Sequence, residues 1–362
     1  MPTPASVTDA VSVRLDRFLS RMRAESEGYG PDGRVLIDAA ARTLTGGKRL
    51  RARFCHAGWT AVARAADRNA VEPEALWGLC AALEVFQAAA LVHDDLIDNS
   101  DTRRGRPAAH RALAQEHVAA GWSGDPDAFG RASAILLGDL LVAWSDDLLE
   151  EALASLPQAP AVRAEYARMR RDVTVGQFLD VAEESAWSAS PLAEHADRAL
   201  RVVSFKSARY SVEQPLLLGA LLAEADAGQQ EALHRFGFPL GMAFQLRDDV
   251  LGVFGDAAVT GKPSGGDLRE GKRTVLVAFT RERLGAPARA VLDELLGDPD
   301  LSDAQVDSLQ ATVRDSGALD RVEALIADYA LAADRALSGA RLDNAAVGAL
   351  RDLARAATTR VA

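Results

Sequence analysis

Apolar residues recur along the chain at helical spacing. Leu76, Leu79, Cys80, Leu83 and Val85 lead into Leu91, and Val322, Leu325, Ile326, Tyr329 and Leu331 repeat the i, i+3, i+4 rhythm near the other end. Alternating β patterns are nearly absent. Short breaker-rich connectors separate the periodic segments: Gly28 to Gly33, Gly121 to Asp127, Leu156 to Pro160 and Leu296 to Ser302. Each reads as a helix-to-helix turn. The longest irregular stretch, Gly255 to Gly271 (GDAAVTGKPSGGDLREG), exceeds the usual loop length and predicts a lid or binding loop. With no internal repeat and no long linker, the pattern predicts an all-α fold in a single domain over 1–362.

Composition narrows the class. The 362 residues are 48% hydrophobic and 26% charged, the balance of a globular protein. Lys and Arg total 41 against 52 Asp and Glu, and the net charge of −11 argues against a protein that wraps nucleic acid or docks on anionic lipid. Apolar runs such as Pro215 to Ala223 are cut by a charge before the roughly 18 residues a membrane span needs, so no transmembrane helix is expected. Asp9, Arg14 and Asp16 sit where a secretory signal needs an apolar core, and the only cysteines are Cys55 and Cys80. These features predict a cytoplasmic protein with free thiols.

Acidic residues supply the first chemistry. The run EVFQAAALVHDDLID, residues 84–98, is apolar until it places Asp94, Asp95 and Asp98 within five positions. Asp94 and Asp98 share a helix face, about 6 Å apart along the axis. Carboxylates that close repel, and at a helix C-terminus they also oppose the macrodipole. Divalent cations would neutralise them, and an all-oxygen donor set suits Mg²⁺ better than zinc. Asp248 and Asp249 end a second apolar run, GMAFQLRDDVLGVFGD. Two such helices would hold metals for a diphosphate, with a greasy pocket behind the carboxylates. The implied substrate is a lipid with a pyrophosphate head.

The chain resembles the trans-isoprenyl diphosphate synthases, the polyprenyl synthetase family, from about Gly46 to Arg273. The motifs stand in family order: GGKRLR at Gly46 to Arg51, DDLID at Asp94 to Asp98 followed by Arg103 and Arg104, GQFLD at Gly176 to Asp180, FKSARYS at Phe205 to Ser211, and FQLRDD at Phe244 to Asp249. The resemblance implies a helical bundle around a deep central cavity, a usual homodimer, and Mg²⁺, three ions per site with substrate bound. It makes Asp94, Asp95, Asp98, Asp248 and Asp249 the metal-binding residues. One departure stands out. Many members end the second motif with a third Asp, where this chain has Gly252 and its next acid is Asp256.

By the same resemblance Lys48, Arg51, Gln87 and Arg104 hold isopentenyl diphosphate, while Arg103, Lys206, Ser207, Lys262 and Lys272 surround the allylic diphosphate. Lys48 and Arg51, at i and i+3, can point from one helical turn toward one phosphate group. Arginine suits the task because its planar fork binds phosphate oxygens in pairs. Gln177 and Asp180 can line the same cavity, and Gln245 and Ser207 can stabilise an allylic cation. The implied reaction is head-to-tail prenyl transfer, with Asp94, Asp95, Asp98, Arg103, Lys206, Gln245 and Asp248 as its catalytic set.

Ala89 and Ala90, about one turn before Asp94, leave room for a long tail and favour geranylgeranyl diphosphate (C20), with C25 to C40 products as the alternative. Three rivals compete. A class I terpene cyclase needs an Asn-Ser-Glu metal motif that Asn69, Asn99 and Asn344 do not begin. A non-catalytic subunit of a heteromeric synthase is expected to lose aspartates that this chain keeps. A metal phosphohydrolase built on His93, His56 and His110 leaves the second acidic cluster unexplained.

Overall fold

The computed structural model describes residues 6–67, 69–70, 72–255 and 264–358. It is helical nearly throughout, as the periodicity predicts, and divides into two compact units: Met1–His56 with Ala70–Ala159, and Ala57–Asn69 with Pro160–Ala362.

In the first unit, helix α1 spans Val7–Glu25, α2 Gly30–Thr43, α4 Glu74–Ile97, α5 Ala109–Ala119 and α6 Pro126–Leu153; α3, Leu50–Ala66, begins here. Ser6 starts α1 by accepting the amide of Asp9. Helix α4 is apolar on almost every side and is correspondingly enclosed, packing mainly on α6. Its Leu76, Leu79 and Leu83 are fully buried, each stabilising the unit by about 1.5–3 kcal/mol. Gly138 of α6 makes the approach possible, since a Cβ there would lie 2.0 Å from Nε2 of His93. By length and mean hydropathy (1.7) α4 could cross a membrane, which the expectation from charge interruptions missed; 72% of its apolar window is buried inside the protein, as in a core helix.

After α4 comes an element that periodicity does not predict. Thr102–Arg103 (β1) pairs antiparallel with Arg106–Pro107 (β2), and the tip between them is Arg104 at φ +54° and Gly105 at φ +71°. Positive φ at both central positions marks the hairpin turn whose twist matches its flanking strands.

In the second unit α7 spans Ala159–Ala186, α8 His195–Val202, α9 Gln214–Leu222 and α10 Ala227–Phe254, followed by shorter helices to Thr358. Asp226 and Gln229 form a reciprocal capping box at the start of α10. Between α8 and α9 lies an eleven-residue π-helix, Val203–Glu213. Such runs are rare and cluster at functional sites. Glycines on its neighbours admit it: a Cβ on Gly176 of α7 would lie 2.3 Å from the amide nitrogen of Lys206, and one on Gly241 of α10 2.4 Å from the carbonyl of Ala208.

Met242, Leu246, Val250 and Val253 of α10 enter a core with Leu268, Leu276, Val306, Leu309 and Ile326. Gln245, Asp248 and Gly252 lie on a neighbouring face, and Asp249 sits on the shoulder between the two. The stretch expected to be irregular through Gly271 is helical over Gly266–Arg269; residues 256–263, with Lys262 and Asp256, fall outside the described residues.

Candidate active site

The first acidic array occupies the end of α4. Asp98 caps the helix, its amide donating 2.8 Å to the carbonyl of Asp94, and Asn99 then turns the chain at φ +51°. Gln87, Ala90, Leu91, Asp94 and Asp98 fall at helical spacing and are half-exposed, whereas Phe86, Ala88, Ala89, Val92 and Asp95 are buried. One stripe of an otherwise enclosed helix therefore carries Gln87, the small Ala90 and two carboxylates. Ala89 and Ala90, paired in the sequence reading, separate here: Ala90 is on the stripe and Ala89 in the core.

The hairpin brings Arg103 back to these acids. Its Nε donates 2.8 Å to Oδ1 of Asp95, its Nη2 shares the same oxygen, and Nη2 also lies 3.6 Å from Oδ2 of Asp94. Burial raises the Asp95 carboxyl above its ordinary range, a shift Arg103 opposes. For Arg103, burial works against the charge, but Asp95, Asp94 and Asp98 outweigh it and raise the guanidinium further.

Arg104 points elsewhere, as adjacent side chains do. Its Nη1 donates 3.5 Å to the carbonyl of Thr45, and its guanidinium lies over Gly47, where a Cβ would meet Nη2 at 2.9 Å. Gly46 (φ +75°), Gly47 (φ +93°) and Arg49 (φ +48°) put this loop in left-handed geometry. Lys48 is therefore exposed on the loop, while Arg51 lies in the first turn of α3. That corrects the expectation that both share one helical turn. Burial and the neighbouring Arg49 lower Arg104 from its usual range. Positive charge crowded around a glycine turn fits an anionic ligand.

Arg49 was not singled out from the sequence. It is buried, donates 2.6 Å to the carbonyl of Leu44, and lies 3.7 Å from Glu84 of α4, which also accepts the amide of Ala52 at 3.1 Å. This pair ties the glycine loop and the start of α3 to α4. The available signal was Glu84 itself, the lone charge in the apolar run from Ala75 to Val92.

The second unit carries the other array. Nε2 of Gln245 donates 2.8 Å to Oδ1 of Asp249, which is buried; burial pushes that carboxyl up to about 7. Asp248, one position earlier, is half-exposed. Lys206 of the π-helix donates 2.5 Å to Oδ2 of Asp180 on α7, with Gln177 on the same face of α7 and Ser207 half-buried beside Lys206. Lys272 reaches Glu270 at 2.9 Å and Asp267 at 3.4 Å. Glu184 joins the group: burial and Asp180 raise its carboxyl, while Arg273, Lys206 and Lys272 oppose the shift. Glu184, Arg273 and Asp267 were missed because they lie outside the aspartate and lysine motifs, although Arg273 directly follows Lys272.

Among the described residues no three His, Cys, Asp or Glu side chains already converge as a metal cage. The donor chemistry nonetheless fits a hard divalent cation: the first unit offers the carboxylate oxygens of Asp94, Asp95 and Asp98 and the second those of Asp248 and Asp249, with Asp95 and Asp249 buried. The histidines do not gather. His93 turns to the carbonyl of Ile135 at 3.3 Å, His56 pairs with Glu72 at 3.1 Å, and His110 faces Asp101 at 3.8 Å. A cleft of about 280 Å³ beside Arg14 and Glu74, and another of about 420 Å³ beside Val118 and Pro126, include none of the predicted site residues.

Comparison with known proteins identifies the family. Residues 34–313 match the polyprenyl synthetase family. The structure superposes on geranylgeranyl pyrophosphate synthase from Corynebacterium glutamicum, crystallised with isoprenyl diphosphate and magnesium, with a TM-score of 0.92 and 35% identity, covering 99% of this chain and 100% of that one. A geranylgeranyl diphosphate synthase of Sulfolobus acidocaldarius is 32% identical over 74% of this chain and 73% of its own. Heptaprenyl diphosphate synthase component 2 of Geobacillus stearothermophilus is 32% identical over 92% and 91%. The fold and its likenesses define a trans-prenyltransferase. The chain belongs to the polyprenyl synthetase family.

Proposed function

We propose that the protein condenses isopentenyl diphosphate head to tail with an allylic diphosphate and releases chiefly geranylgeranyl diphosphate. The observation that carries this reading is the half-exposed stripe of α4, on which Asp94 and Asp98 stand one turn and more beyond Ala90. Carboxylates for a metal-bound diphosphate and space for a hydrocarbon tail share one helix face.

Mg²⁺, three ions with substrate bound, is assigned to Asp94, Asp95, Asp98, Asp248 and Asp249, and supplies Lewis-acid assistance to diphosphate departure. Arg103, Lys206, Lys262 and Lys272 bind the oxygens of the allylic diphosphate and hold the charge that develops as its C–O bond breaks. Both electrons leave with the pyrophosphate, so C1 of the allyl group becomes cationic. Gln245 and Ser207 turn neutral oxygens toward that carbon. Lys48, Arg51, Gln87 and Arg104 hold isopentenyl diphosphate so that its double bond attacks C1. The new C–C bond leaves a tertiary cation, which loses a proton to the departing pyrophosphate. No protein nucleophile takes part.

The decisive experiment incubates the pure protein with Mg²⁺, isopentenyl diphosphate and C5, C10 or C15 allylic primers, and reads product length by mass spectrometry. A C20 product supports the proposal. C25 to C40 products support the longer-chain reading. Absence of turnover with every primer overturns this proposal and favours the role of a non-catalytic subunit. We also propose that it works in the cytoplasm as a homodimer; the exposed Ile135 and Leu136 on α6 support an association surface, and light scattering would give a monomer mass if this is wrong.

A further inference from the structure

Arg103 is carried by a hairpin whose strands are two residues each, and a lone hairpin of that size does not hold its shape in water. Its direction must be fixed from outside. The amide of Ser100 donates 2.8 Å to the carbonyl of Asp95, and the amide of Ala108 closes the base of the hairpin by donating 2.8 Å to the carbonyl of Asp101. The side chain of Asp101 then reaches beyond the hairpin. Its Oδ1 accepts Nε of Arg111 at 2.6 Å.

Arg111 stands in the first turn of α5, where no acid accompanies it and the helix dipole disfavours a cation. Its placement is explained by what it spans. Nη1 donates 2.9 Å to Oδ1 of Asp127, in the first turn of α6, so one guanidinium joins the hairpin to a helix start. That anchor is firm: Asp125 caps α6 by accepting the amide of Asp127 at 2.9 Å, and a Cβ on Gly130 of α6 would stand 2.2 Å from the carbonyl oxygen of His110 on α5. The hydrogen bond from Arg111 holds the Asp101 carboxyl below its ordinary range. Asp101, Arg111 and Asp127 keep 61%, 39% and 55% of their side-chain exposure, so the network adds little to stability. What it contributes is direction.

We infer that Arg111 is a positioning residue for Arg103: by tying Asp101 at the base of the hairpin to Asp127 on α6, it fixes the line along which Arg103 meets Asp95 and the allylic diphosphate. This rests on the role proposed above for Arg103. Arg103 itself is held at its head by Asp95, and the Arg111 tether holds its backbone. With both ends fixed, the guanidinium needs no reorganisation as the leaving group gathers charge. Loss of the tether frees the hairpin base, and a displacement on the order of 1 Å at such a group can cost up to about 100-fold in rate.

The test is a double-mutant cycle in the full chain: wild type, Arg111→Ala, Arg103→Ala and the double variant. The readout is the single-turnover rate with Mg²⁺ and both substrates saturating, which excludes losses in binding through Arg104. Arg111→Ala is expected to lower that rate about tenfold in the wild-type background, within the range for a displaced catalytic group. In the Arg103→Ala background the same change is expected to cost less than about twofold, the spread that independent errors allow. Its melting temperature should stay close to wild type, since an exposed ion pair is removed. A rate for Arg111→Ala within about twofold of wild type overturns the inference, and so does an equal loss in both backgrounds, which would mark a general role in the fold. If Arg111→Ala fails to fold, Asp127→Asn, which slackens only the α6 end of the tether, is put through the same cycle and judged by the same two comparisons. A wild type that makes no prenyl product with any primer fails the functional reading alone. The cycle is then read as affinity for inorganic pyrophosphate at fixed Mg²⁺ by calorimetry, where a loss confined to the background that keeps Arg103 supports the inference and equal losses in both overturn it.

Discussion

Arg103 and Asp95 form a close pair, the guanidinium donating through Nε at 2.8 Å and through Nη2 to a single carboxylate oxygen at the end of α4. The same oxygen set is assigned to metal and the same guanidinium to diphosphate, so the pair holds each group ready for its other partner. Replacing Arg103 by Ala removes the counter-charge of a buried carboxylate. Because Arg103 is itself about one-third exposed, the expected stability loss is discounted to about 1–2 kcal/mol. Turnover is expected to fall about 100-fold or more, as for loss of a preorganised charge partner. Arg103→Lys should keep much of the stability but not the rate, since Lys lacks the planar fork. Melting curves and steady-state kinetics for both variants check this; an Arg103→Lys variant with wild-type kcat would refute the role of the fork.

Ala90 and Ala89 should respond oppositely to enlargement. Ala90→Phe places a ring on the half-exposed stripe between Gln87 and Asp94, and is expected to shorten the product while melting close to wild type. Ala89 is 1% exposed, so Ala89→Phe must overpack the core and lower stability by about 1–3 kcal/mol. Product mass and calorimetry distinguish the two, and an unchanged product from Ala90→Phe would remove position 90 from the path of the growing tail.

Gly176→Ala tests how the π-helix is seated. A methyl 2.3 Å from the Lys206 amide forces backbone apart, and neither side is a flexible side-chain tip. Destabilisation of about 1–3 kcal/mol is expected, with a weaker allylic-substrate KM as Lys206 loses its register against Asp180. A variant with unchanged melting and KM would contradict the close packing.

Asp249 predicts a pH dependence whose sign follows from its folded value of about 7, above the ordinary carboxylate value of 3.8. Between these values the native state holds a proton that the unfolded state has lost. Metal-free stability therefore falls as pH rises from about 4 to about 7 and then levels off, as far as this group is concerned. Asp249→Asn should melt higher than wild type at pH 8 without Mg²⁺, with the gap closing toward pH 4. Below pH 7 Mg²⁺ must displace that proton, so its binding should weaken by up to about tenfold per pH unit. Differential scanning calorimetry across pH checks the first expectation, and proton release on Mg²⁺ addition the second.

Much of this was legible in the chain. Helical periodicity gave the fold class because α4, α7 and α10 each bury a continuous apolar face, and the aspartates were visible because they interrupt such faces. The hairpin at Arg103 to Arg106 was hidden because two-residue strands leave no alternation to read. The π-helix was hidden because its hydrogen-bond register depends on notches at Gly176 and Gly241, far away in sequence. Asp267 was hidden for a similar reason: the approach of its carboxylate to Gly252, where a Cβ would meet Oδ2 at 2.0 Å, exists only in space. Arg49 and Glu84 were legible in part, as a lone acid in an apolar run, but their pairing required the fold.

The π-helix also has a consequence for how this sequence can vary. An i to i+5 ladder accommodates a residue more than an i to i+4 ladder over the same contour. Deleting a single residue from Val203–Glu213 would let the hydrogen bonds re-pair as ordinary α-helix while the flanking helices keep their facing. In genetic terms the loss of one codon would leave the helices on either side facing as before and change the direction of side chains within the segment itself, among them Lys206, now paired with Asp180.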